Sequence, residues 1–79
     1  MKIVYILKSL KDNTIYSGNT DDIEERLDRH KKGYVKSTKH KLPIELVCYT
    51  VFKDKEKAYD FERYLKTGSG RAFIKKHFI

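Results

Sequence analysis

Hydrophobic and polar positions change their spacing several times along the chain. Ile3-Val4-Tyr5-Ile6-Leu7 is an unbroken β-rich apolar run, the pattern of a strand covered on both faces. Lys11-Asp12-Asn13-Thr14 supplies turn residues, and Thr14-Ile15-Tyr16-Ser17-Gly18 reads as the returning strand of a hairpin. From Asp21 to Lys32 the period becomes helical. Thr20 or Asp21 is placed to cap this helix, and Asp21, Asp22, Glu24 and Glu25 crowd its positive N-terminal end. Arg29, Lys31 and Lys32 fall at the other end, where Gly33 can terminate it.

Residues 33–44 read as a connection, with Pro43 stopping any helix from running into the next element. Glu45 to Phe52 carries Leu46, Val47, Cys48, Tyr49, Val51 and Phe52 and predicts a third strand. Asp54 caps a second helix expected to end near Gly68, and Ser69 opens a short C-terminal helix bearing Phe73, Ile74 and Phe78. The order is β-β-α-β-α-α, without repeats or low-complexity stretches. It predicts a single α/β (α+β) domain over residues 1–79.

Two helices break their own pattern. The inward stripe of the first is Ile23, Arg26, Leu27 and His30, and that of the second is Ala58, Phe61, Glu62 and Leu65. A chain of 79 residues buries only about 60% of the surface its unfolded form exposes, so a polar group on an apolar face needs a reason. An unpaired buried charge is expensive. Two readings stand: a partly buried Arg26–Glu62 ion pair, or a wet cleft that gathers a cation, an imidazole and a carboxylate. Removing one partner of a buried pair costs roughly 3–5 kcal/mol, so the first is physically sound.

Charge adds a direction. Lys and Arg number 18 against 11 Asp and Glu, a formal net charge of +7. The acids, aromatics and β-branched residues argue for a packed fold rather than a basic tail. The excess points to a polyanionic partner, nucleic acid before an anionic membrane surface, or to nothing more than a lysine-rich surface. Five lysines lie within 31–41, interleaved with Tyr34 as in single-strand binders, and no acid intervenes. Arg63, Lys66, Arg71, Lys75 and Lys76 form a second basic group with no acid after Glu62. Cys48 is the only cysteine, so neither an internal disulfide nor a thiolate zinc site is available. In the run Leu46-Val47-Cys48 it reads as a small buried hydrophobe. No long apolar segment or signal-peptide pattern is present, and a reducing, cytoplasmic setting is the default expectation.

Val4-Tyr5-Ile6, then Ile15-Tyr16-Ser17-Gly18, then Thr20-Asp21-Asp22-Ile23-Glu24-Glu25-Arg26 together resemble the GIY-YIG nuclease superfamily, whose name describes two tyrosine-bearing strands of a hairpin. Arg26 matches the arginine of the family's helix, with His30 one turn later. Phe61-Glu62-Arg63-Tyr64-Leu65-Lys66 resembles the segment that carries the family's metal-binding glutamate. Gly68-Ser69-Gly70-Arg71 resembles the close of its small stand-alone members. The resemblance covers essentially the whole chain and implies a three-stranded antiparallel sheet flanked by helices. Val4 departs from the glycine of the first triplet and Ser17 from the central isoleucine of the second. Asn19 stands where some relatives carry lysine or tyrosine.

The resemblance further implies a metal-dependent endonuclease acting on nucleic acid, DNA foremost, single-stranded or structured and with little sequence specificity. In that reading Glu62 holds Mg²⁺ (or Mn²⁺), and Arg26 presents its planar fork to phosphate oxygens. Tyr5 takes or relays the proton of the attacking water, Tyr16 orients it, and His30 helps deprotonate Tyr5 or binds phosphate. Tyr5 needs help from the metal and Arg26 to favour its phenolate. Gly18 lets backbone approach substrate or a neighbouring helix. Lys32, Tyr34, Lys36, Lys39 and Arg71 are the expected substrate contacts. The alternative is a non-catalytic nucleic-acid-binding or repair-associated module of the same fold. No membrane partner is expected, and a monomer is the default.

Overall fold

A computed structural model describes residues 1–79. Its elements are β1 (Lys2–Ser9), β2 (Ile15–Thr20), α1 (Ile23–Lys31), β3 (Ile44–Phe52), α2 (Lys55–Leu65) and α3 (Gly68–His77). The three strands make one antiparallel sheet in the order β2-β1-β3. β1 is therefore central, and Val4, Tyr5, Ile6 and Leu7 are all buried, as an uninterrupted apolar run requires.

Alternation along β1 divides the core in two. Val4 and Ile6 face α2 and α3, packing with Ala58, Leu65 and Ile74. Tyr5 and Leu7 face the other way, onto Ile44, with Tyr16, Ile23 and Leu27 around them. So α1 covers one face of the sheet, and α2 and α3 cover the other. Val4 and Ser17, the two departures in the tyrosine-bearing strands, are both buried on the α2–α3 side, where neither opens the hairpin.

Helix ends differ slightly from expectation. Asp22, not Thr20 or Asp21, is the N-cap of α1; its carboxylate accepts from the Glu25 amide. α1 closes through a Schellman motif. The Gly33 amide donates to the His30 carbonyl, the Tyr34 amide donates to the Arg29 carbonyl, and Gly33 has φ 77°. Asp54 caps α2 as expected, but α2 ends at Leu65, ahead of Gly68. The Thr67 hydroxyl accepts from the Gly70 amide and starts α3 at Gly68 rather than Ser69. This sharp corner leaves no room at Gly70, where a Cβ would collide with the Tyr64 carbonyl oxygen.

Residues 33–43 are pinned onto the hairpin turn. Lys41 pairs with Asp12 at 2.7 Å, the Ser9 hydroxyl donates to the Lys41 carbonyl, and the Leu10 amide donates to the Pro43 carbonyl. Within this segment Val35 and Thr38 turn inward, while Lys36 and Lys39 stay exposed.

Candidate active site

Tyr5 is the centre of the site. Its register partner on β2 is Gly18, and its ring lies across that residue. A Cβ at Gly18 would stand 2.6 Å from the phenol oxygen and 2.8 Å from Cζ. Gly18 thus clears a path for the Tyr5 ring. The ring itself is only 1% exposed.

Helix α1 brings two groups to the Tyr5 oxygen. His30 Nε2 lies 2.8 Å away, and Arg26 Nε donates to it at 3.3 Å. The spacing of four residues puts both on the face that packs on the sheet. His30 is fully buried, and its Nδ1 lies 2.6 Å from the Thr38 hydroxyl. Tyr16 completes the cluster, its ring centroid 5.5 Å from that of His30 and 6.4 Å from that of Tyr5. Burial, aided by Arg26 and Arg29, pushes the His30 pKa down to about 4, so the imidazole is neutral at physiological pH. Burial also raises the Tyr5 pKa. The hydrogen bond from Arg26 opposes that rise without reversing it, so the isolated protein holds Tyr5 as a phenol. Arg26 is in turn raised by its bond to Tyr5 and stays charged.

Glu62 comes from the opposite face. Its side chain is 16% exposed; Oε1 accepts from Asn19 Nδ2, and Oε2 lies 2.9 Å from Lys66 Nζ. Asn19 follows Gly18 directly and pairs with Val4, so it points to the α2 side. Glu62 is thereby tied to the strand that Tyr5 overlies, and its charge is felt by the phenol. The Arg26–Glu62 ion pair does not form. Arg26 and Glu62 stand on helices packed against opposite faces of the sheet, and Arg26 turns to Tyr5 instead. No other side chain binds Arg26, so its two terminal nitrogens carry no protein acceptor.

The basic residues divide into two places. Lys32 pairs with Asp28 at 2.9 Å. Tyr34 is 68% exposed, and Lys36 and Lys39 lie on the outside of the pinned loop. Arg71 lies elsewhere, in a groove between β2 and α3 that it lines with Tyr16, Ser17, Lys66, Ile74 and Lys75. Tyr16 thus belongs both to the buried cluster and to the wall of a cationic groove. Cys48 is part-buried with a raised pKa, which makes it a poor nucleophile. No helix is long and apolar enough to cross a membrane.

Sequence reasoning noted Asn19 only as a departure from the family and gave Thr38 no role. A polar residue beside Gly18, where the pattern alternates between faces, was a signal for Asn19. Thr38 had none, because a loop's inward residues show no period.

The antiparallel α+β scaffold thus buries a tyrosine between an arginine and a neutral histidine, with Glu62 reaching the same edge strand through Asn19. The GIY-YIG catalytic domain family model matches residues 1–76, and the chain belongs to that family, a nuclease superfamily. It is 37% identical over 79 residues to a UPF0213 protein of Streptococcus pyogenes serotype M3, covering 94% of this chain and 85% of that one. It is 39% identical over 67 residues to a UPF0213 protein of Clostridium perfringens, covering 84% and 71%. No solved structure matches.

Proposed function

We propose that this protein is a divalent-metal-dependent endonuclease that hydrolyses phosphodiester bonds in DNA, favouring single-stranded or structured substrates with little sequence specificity. The observation that carries this reading is the Tyr5 oxygen, held between Arg26 Nε at 3.3 Å and His30 Nε2 at 2.8 Å. Such a phenol is placed to take a proton once ionised, beside a guanidinium free to hold a phosphate.

The division of labour follows from what each side chain can give. Arg26 spends only Nε on Tyr5, so its terminal nitrogens can take two oxygens of the scissile phosphate and the charge that builds on them. Tyr5 accepts the proton of the attacking water, and Tyr16 packs against the cluster and orients it. His30, neutral and bonded to the phenol, takes the Tyr5 proton or steadies the phenolate. Glu62 suits a hard divalent ion. It is a single, part-exposed carboxylate, and magnesium commonly keeps its waters beside one or two carboxylates. When bound there, the ion supplies Lewis-acid polarisation of the phosphate and assistance to the departing 3′ oxygen.

The groove carrying Lys66, Arg71 and Lys75 is the substrate track nearest the cluster, since Tyr16 lines it. Cations stand on the helical side only, and the β2 wall is neutral. That suits one phosphate row with unpaired bases beside it. Lys36, Lys39 and Tyr34 offer a second contact around the pinned loop.

The test is cleavage of end-labelled single-stranded, duplex and branched DNA, and of RNA, in Mg²⁺, Mn²⁺ or EDTA. Metal-dependent cutting by wild type, lost in Glu62→Ala and Tyr5→Phe with the fold intact, is the expected result. Folded proteins that all bind DNA and never cut it would make this a non-catalytic binding module.

A further inference from the structure

The loop that follows α1 reaches into the Tyr5 cluster. Thr38, on the inner side of residues 33–43, is 1% exposed, and its hydroxyl meets His30 Nδ1 at 2.6 Å. Tyr5, His30 and Thr38 therefore form one buried chain of hydrogen bonds, 2.8 Å and 2.6 Å long, whose free end is Arg26.

Proton counting along this chain is restrictive. A neutral imidazole has one donor and one acceptor nitrogen, and Arg26 Nε is a donor only. While Tyr5 is a phenol, its oxygen accepts from Arg26, and the one acceptor bonded to its proton is His30 Nε2. The imidazole proton must then sit on Nδ1 and be given to Thr38. When Tyr5 becomes a phenolate it can only accept, from Arg26 Nε–H and from His30 Nε2–H. Nδ1 is then bare, and its partner must donate. The two states differ by one proton, released to solvent. A backbone carbonyl at this place accepts only and would resist the second state, whereas a hydroxyl rotates to serve both.

We propose that Thr38 is a positioning residue of the Tyr5 centre. Its hydroxyl accepts from His30 while Tyr5 is a phenol and donates to it while Tyr5 is a phenolate, so His30 changes tautomer without leaving its site. The inference rests on Tyr5 being the group that accepts the water's proton. Other charged or titratable groups facing the cluster are Tyr16 from β2, Arg26 and Arg29 from α1, and Glu62 from α2. None of these reaches Nδ1. The consequence for the loop is that lysine-bearing residues 33–43 also build the catalytic centre.

The experiment uses the full chain with ¹⁵N-labelled imidazoles and fluorotyrosine, whose more acidic phenol ionises within the pH range of the folded state. In the wild type, NMR should show His30 protonated on Nδ1 near neutrality and on Nε2 once Tyr5 has ionised. Both changes should share one midpoint. Thr38→Ser should keep this behaviour, and Thr38→Val, which has the shape without the hydroxyl, should lose it. In cleavage assays Thr38→Val should fall at least about tenfold, part of the roughly 10²–10⁴ that a positioned acid–base group contributes, and Thr38→Ser should recover it. One tautomer on both sides of the Tyr5 midpoint would overturn the proposal, as would a Thr38→Val protein with wild-type tautomers and midpoint. Tyr5→Phe cutting at the wild-type rate would instead remove the base role of Tyr5, a separate failure visible without NMR.

Discussion

Acid should weaken this fold earlier than its carboxylates alone require, because His30 is buried uncharged. In the unfolded chain a histidine titrates near ~6.5, while burial beside Arg26 and Arg29 pushes His30 down to about 4. Between those values the unfolded chain binds a proton that the folded chain refuses. Stability therefore rises with pH through this window and is lost as pH falls. At about 1.36 kcal/mol per pH unit, the descent from 6.5 to 5 alone removes roughly 2 kcal/mol. Below pH 5 other groups join. Asp12, held well below the carboxylate range by the Lys41 ammonium and by Thr14, loses its contribution there, so the upper window isolates His30.

Urea unfolding at half-unit steps from pH 7.5 to 5 measures the slope. His30→Gln, which keeps a neutral amide in the cluster but cannot take up a proton, serves as the control. The wild type should lose about 2 kcal/mol more than the variant over that span. Proton NMR of His30 reads the cause directly, with the imidazole remaining neutral at pH 5. A His30 resonance titrating near the ordinary value, or parallel stability curves for wild type and variant, would refute the buried neutral imidazole and the hydrogen-bond chain built on it.

Three further outcomes follow from contacts already described. Gly18→Ala should displace the Tyr5 ring, since its Cβ would stand 2.6 Å from the phenol oxygen. Urea unfolding should show a loss of about 1–3 kcal/mol, with cleavage abolished, and unchanged stability and activity would refute the close approach. Asn19→Ala should free Oε1 of Glu62 and weaken Mn²⁺ binding, read by calorimetry, by about 10–100-fold, as loss of an orienting partner typically does. Arg71→Ala and Lys75→Ala, from the groove wall, should each lower the slope of log K against log salt for single-stranded DNA by about 1. Equal slopes would place the strand elsewhere.

How much of this was legible follows from where each residue stands. The strands and helices were read because each is amphipathic or uniformly apolar over several turns, and the polar residues on inward stripes marked Arg26, His30 and Glu62 as exceptional. The interpretation of that exception was harder. Helical periodicity says that a side chain points inward, but not to which face of a sheet its helix belongs, so an Arg26–Glu62 pair and a wet cleft both stayed open. The sheet stands between their helices, and Tyr5 with Gly18 and Asn19 fills the space. Cap and corner positions slipped by one to three residues because several neighbouring side chains, such as Thr20, Asp21 and Asp22, can each accept the same amide.

Asn19 and Thr38 explain why a small chain can keep polar groups in its interior. Tyr5, His30 and Thr38 are each nearly inaccessible to water, and each has its polar atoms bonded within the same chain; no buried side-chain nitrogen or oxygen is left without a partner. A network satisfied in this way avoids the roughly 1–3 kcal/mol that each orphaned group would cost. On the other face Asn19 does the same for Glu62, while Lys66, half-exposed, supplies a counter-charge weak enough to be displaced. The two arrangements differ in kind. The Tyr5 side is closed, each buried polar atom of the cluster bonded to a neighbour. The Glu62 side is part-exposed and countered by a half-exposed lysine, so the proposed ion would displace a surface partner rather than break a buried pair.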